Sequence, residues 1–181
     1  MRETVLVGLA ITALALGPAL PARAQAPLPV PGVEPARDVP NAGEMPDTKI
    51  VHKVVFDMGT ANPKATDVHP LLQAVARYVN TLAKTGVPAS NRQIALVFHQ
   101  GGTDYILNND TYKARHEGKD NPNIALIQAL KKAGVDFRVC GQAVLGNKID
   151  PKTIQPEIQL DLWALTTIIA FQQRGYVLIA P

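Results

Sequence analysis

From about residue 48 onward the chain switches repeatedly between a strand-like and a helical spacing of apolar residues. Ile50-Val51-His52-Lys53-Val54-Val55-Phe56 is β-branched, is bounded by Asp57 and Gly59, and predicts a first strand. From Pro70 to Lys84, the residues Leu71, Leu72, Val75, Val79 and Leu82 recur at three- and four-residue spacing. That is an amphipathic helix, opened by Pro70 and stopped by Gly86. Ile94 to Phe98 is apolar on both faces, which suits a central strand of a parallel sheet covered from both sides. It runs into His99-Gln100-Gly101-Gly102.

Asn108 to Asn121 is polar and charged and is expected to form an exposed excursion. Asp120 or Asn121 then caps a helix opened by Pro122, with Ile124, Ile127 and Leu130 on one face and Gly134 at its end. Asp136 to Cys140 reads as a third strand, Gln142 to Leu145 as a short helix, and Asp150-Pro151 as a turn. Ile158 to Leu160 reads as a short strand, Leu162 to Arg174 as a helix stopped by Gly175, and Tyr176 to Ile179 as a closing strand. Such alternation predicts an α/β fold: one compact domain with a mostly parallel sheet of about five strands and helices on both faces.

The last helix distributes Leu162, Trp163, Leu165, Ile168, Ile169 and Phe171 around much of its circumference. A surface helix of a monomer keeps a polar face, so the pattern predicts burial against another subunit. The alternative is a helix sunk in the domain's own core.

Ahead of the domain, Arg2 precedes an apolar run from Val5 to Leu16, and Pro18, Pro21 and Ala22-Arg23-Ala24 follow. We read residues 1–24 as a signal peptide cleaved near Ala24 and Gln25, because the run is too short for a spanning helix. Glu3 is untypical of such a segment, and an uncleaved anchor is the alternative. The expected destination is the periplasm or the exterior, with no membrane attachment once the signal is removed. Residues 25–47 carry six prolines and few bulky apolar side chains, which predicts a flexible leader that builds no core. Residues 48–181 then form the folded domain, long enough for one core and not for two.

Charge adds little. The formal value is +3, and loss of Arg2, Arg23 and Glu3 with the signal lowers it by one. With no basic stripe interleaved with aromatics, nothing points to nucleic acid.

Cys140 is the only cysteine. In an oxidising compartment it must be buried, paired with another molecule, or kept as a working thiol. If the three predicted strands are parallel and adjacent, the strand ends at Asp57, His99 and Cys140 open on one edge, where ligands bind in such sheets. A thiolate is the nucleophile, and both the turn amides after Cys140 and a nearby His99 favour it. Each residue also has a structural explanation: a core Cys140, a capping His99, an Asp57 that only terminates its strand. His52, His69 and His116 show no ligand spacing with one another or with Cys140, so neither metal nor cofactor is expected. Gly101-Gly102 lacks the spacing of a phosphate loop, and no serine-hydrolase elbow is present.

The run from Asn121 to Ile127, and above all Gly134-Val135-Asp136-Phe137-Arg138-Val139-Cys140-Gly141-Gln142-Ala143, resembles the DsrE/DsrF family of sulfur-relay proteins. Val54 to Asp57, Val97 to His99 and Gln172 to Tyr176 extend the resemblance over most of the domain. It implies a YchN-like α/β fold, assembly as homotrimers or hexamers, and a persulfide carried on Cys140. The implied partners are a sulfur donor or acceptor protein, or a small inorganic sulfur species. A signal peptide and leader depart from the cytoplasmic relay members. A non-catalytic oligomeric binding module and a thiol redox sensor are the alternative functions.

Overall fold

The structure is a computed structural model that describes residues 27–62, 64 and 66–180. The predicted signal peptide lies outside the described residues. Five strands, β1 (His52–Met58), β2 (Arg92–Phe98), β3 (Asp136–Cys140), β4 (Ile158–Asp161) and β5 (Val177–Ile179), form one sheet. All pairs are parallel, in the order β4-β3-β2-β1-β5. The helices are α1 (Pro70–Lys84), α2 (Asn109–Arg115), α3 (Ile124–Lys132), α4 (Gly141–Gly146) and α5 (Ala164–Gln173). Among the described residues no helix is long and apolar enough to cross a membrane.

Strand alternation divides the interior in two. Phe56, Met58, Leu96, Phe98, Phe137 and Val139 point to one face, where α1 and α3 supply Leu72, Val75, Val79, Ile127 and Leu130 to the larger core. Val55, Ala95, Val97 and Cys140 point to the other, where Ala164, Ile168 and Phe171 of α5 cover them. The apolar circumference of α5 is thus only partly used: Leu165 and Ile169 stay exposed, as do Leu162 and Trp163 just before the helix.

Besides α3, which begins at Ile124 with Asn123 at its cap position and not at Pro122 behind Asp120 or Asn121, three expectations are corrected. The first strand begins at His52 and not at Ile50, because its register with β2 runs from His52↔Arg92 to Met58↔Phe98 and leaves Ile50 and Val51 exposed. Asp57 therefore lies within the strand. The segment between Asn108 and Asn121 is exposed from Lys113 to Arg115 and from Glu117 to Asp120, as expected, but it carries α2 and is anchored by the buried Tyr112 and Asn121. Two of its amides bond inward: Asn108 caps α2 by accepting the Thr111 N–H, and Asn121 donates to the carbonyls of Tyr105 and Leu107. Composition alone could not reveal this, because the same amides suit water equally well. Thirdly, the proline-rich leader does contribute to the core. Val30 is fully buried against α1, and the Asn80 side chain accepts its N–H at 2.9 Å while donating to the carbonyls of Val30 and Val33.

The start of α1 matches the sequence reading, and its cap is His69, whose Nδ1 accepts the Leu71 N–H at 3.1 Å. This needs a neutral ring. Burial pushes the His69 pKa below the ordinary 6.5, against a smaller opposing effect from the Thr60 backbone.

Replacing Asn80 by alanine strands three buried backbone groups and is expected to cost about 2–3 kcal/mol in urea unfolding, with faster hydrogen exchange at the Val30 amide. For His69 the unfolded chain binds the extra proton first, so the stabilisation is complete above about pH 6.5 and is lost as pH falls through the lowered folded value. Urea midpoints measured across that window should show the loss, and His69→Asn, which retains a capping acceptor, should flatten the slope.

Candidate functional site

Because all strands are parallel, their carboxyl ends meet at one edge, and continuing the register places a row of polar side chains there. Phe98 pairs with Val139, which sets His99 next to Cys140. Met58 pairs with Phe98, and the His99 N–H donates to the Met58 carbonyl at 3.1 Å, which continues the ladder. Cys140 in turn pairs with Asp161 at the end of β4. Alternation directs Asp57, His99, Cys140 and Asp161 to the face covered by α5. All three residues singled out from the sequence are therefore brought together at one edge.

Cys140 is 4% exposed and belongs to the α5-side core. It is also the cap residue of α4, so N–H groups of that helix's first turn follow directly after the thiol. His99 is not a helix cap through its side chain. Its Nε2 is hydrogen-bonded to Asp57 Oδ1, both side chains being largely sheltered from water. A carboxylate at Nε2 fixes the proton there in the neutral ring and leaves Nδ1 as the acceptor. The ring abuts Gly59: a Cβ at that position would stand 2.6 Å from its Cε1 and 2.8 Å from its Nε2. Glycine is what makes the His99–Asp57 pairing fit.

On the other flank sits a cluster that the sequence reading missed. Arg138, two residues before Cys140 on the same face, donates to both oxygens of Asp136 and lies 3.4 Å from Asp161 Oδ1. The Asp136 contact, with help from Asp161, holds the Arg138 pKa above its ordinary value against desolvation. Asp161 Oδ2 accepts the Thr167 hydroxyl of α5 at 3.0 Å. The i, i+2 spacing of Asp136, Arg138 and Cys140 on a strand was the available signal, and β4 ending at Asp161 instead of Leu160 completes it.

A groove of about 500 Å³ runs along α5 from Asp161 and Leu162 past Arg138 to Arg174. The larger groove, about 730 Å³, lies on the opposite side of the sheet between the leader, α1 and α3, away from the thiol. Among the described residues no cluster of His, Cys, Asp and Glu can hold a metal ion.

The model of the DsrE/DsrF-like family matches residues 53–181. Among solved structures the chain is similar to MTH1491, a protein of unknown function from Methanobacterium thermoautotrophicum, with a TM-score of 0.52 at 17% identity. The match covers 72% of this chain and 99% of that one, and it shows the shared fold. No curated protein matches the chain.

Proposed function

This chain belongs to the DsrE/DsrF-like family, whose role is of the sulfur-relay kind, and we propose that it is an exported sulfur carrier holding persulfide sulfur on Cys140. The observation that carries this reading is that the single thiol ends the strand next to the one whose end bears a histidine oriented by a carboxylate. His99 Nδ1 takes the thiol proton. The Cys140 thiolate then attacks the sulfane sulfur of a donor persulfide, the donor's S–S bond breaks, and the donor leaves as its thiolate. An acceptor thiolate takes the terminal sulfur from Cys140 by the same exchange. Export to the periplasm or beyond follows from the signal-like segment of residues 1–24 and makes the partner an exported protein or a small sulfur species such as thiosulfate or polysulfide.

Assembly with further copies is the second part of the proposal. Leu162, Trp163, Leu165 and Ile169, on and just before α5, expose apolar surface on the α5 side of the molecule. Isolated apolar residues are ordinary on a surface, but a band along one helix is what a subunit contact requires. The family resemblance implies trimers or hexamers.

The burial of Cys140 favours one competing reading, a non-catalytic assembly module in which the cysteine only packs. Intact-mass spectrometry after brief polysulfide exposure decides between them. Wild type should gain sulfur in steps that reductant removes, and Cys140→Ala should gain none while keeping its fold. Alanine is the better replacement, since a serine hydroxyl at this buried position is left without a partner at a cost of about 1–3 kcal/mol. A folded wild type that takes up no sulfur selects the assembly module. Light scattering at micromolar concentration should return a multimer, and Leu165→Glu with Ile169→Glu should return a monomer.

A further inference from the structure

We propose that the connection from β4 into α5 is a lid over Cys140 and that Asp161 is its latch, an inference that rests on reading Cys140 as a working thiol. A thiol that exchanges sulfur with a partner must be reached, and at 4% exposure Cys140 is not. The geometry shows which wall can move. On one flank the neighbour is His99, directly after β2, a strand paired along seven positions with β1, and its ring is held by the Asp57 contact. That wall is built into the centre of the sheet.

On the other flank lies β4, a four-residue edge strand that pairs with β3 alone. Edge strands separate at the least cost, since only one ladder must open. From its end the chain crosses Cys140's own successor: a Cβ at Gly141 would stand 2.7 Å from the Asp161 carbonyl oxygen and 3.2 Å from that of Leu162. It then enters α5, whose Ala164 and Ile168 share the buried cluster of the thiol. The residues in between are poorly supported by the domain. Leu162 is 74% exposed and Trp163 46%, and no side chain caps the helix at Trp163.

The closed position has one polar fastening that spans three elements. Through its carboxylate, Asp161 of β4 accepts from Thr167 of α5 at 3.0 Å and from Arg138 of β3 at 3.4 Å, with Gln159 at 3.1 Å. The connection's other side-chain ties are Gln142 Nε2 to the Leu162 carbonyl, long at 3.4 Å, and the Thr166 hydroxyl to the Trp163 carbonyl at 2.8 Å, which lies within the lid itself. Asp161 is therefore a positioning residue. It touches no sulfur, and its release uncovers the thiol without disturbing His99.

Native-state alkylation of the mature protein with a small maleimide tests the latch independently of sulfur chemistry. Asp161→Asn and Thr167→Val are expected to react about tenfold faster than wild type, and rates should be insensitive to low urea, as for local opening. Asp136→Asn removes the other carboxylate from Arg138 but leaves the Thr167 tie, and should react like wild type. Should Asp161→Asn not fold, Thr167→Val carries the test alone. Equal rates in all variants, acceleration by Asp136→Asn as well, or rates that follow global stability in urea would overturn the lid. Sulfur uptake, measured in parallel by mass, separates the two proposals. Faster alkylation with no uptake in any variant leaves the lid and removes the sulfur carrier, whereas uptake with uniform alkylation does the reverse.

Discussion

Seven consecutive register pairs join β1 to β2, and four more join β2 to β3. Because the strands are parallel, this ladder brings every carboxyl end to one edge, and because side chains alternate, it also decides which face each terminal side chain serves. A slip by one residue would send Cys140 to the α1 side and part Asp57 from His99. The burial of Phe98 and Val139 on one face and of Val97 and Cys140 on the other fixes the register against such a slip. Core packing and site geometry are therefore one constraint.

The two faces differ in kind. The α1 and α3 side is closed by two helices, a segment of leader and a network of buried amides that includes Asn121, Asn123 and Gln155. The opposite side has α5 alone, with a smaller core and apolar residues left facing outward. The thiol lies on the thinner side, where the domain's own packing is least complete and where contact with another chain has the most influence.

Much of this was legible in the sequence. Helical spacing fixed α1 to the residue at both ends, and the strand pattern gave β3 with Cys140 at its end, because period and caps are local signals. A mostly parallel sheet followed from alternation of the elements, and in the structure every pair is parallel. What escaped was whatever depends on a distant partner. Asp57 reads as a strand stop until His99 is seen beside it, and Asp161 has no meaning until Arg138 and Thr167 surround it. The anchoring of the stretch before Asn121 escaped for the same reason, since an amide advertises neither water nor a buried carbonyl.

The leader shows how a composition can mislead about packing. Its contacts with α1 use the N–H groups of Val30 and Ala36 and the carbonyls of Val30, Val33 and Ala36. None of these donors belongs to a proline; Pro29 precedes them, and Pro31 and Pro35 sit between them. A proline ring restricts the unfolded chain as well as the folded one, so a segment rich in proline has less conformational freedom to surrender when it docks. The same residues that deny this stretch a helix or a strand thus pre-form it as a ribbon. Asn80 recognises that ribbon through its main chain alone, so its side chains are free to vary wherever they do not enter the core.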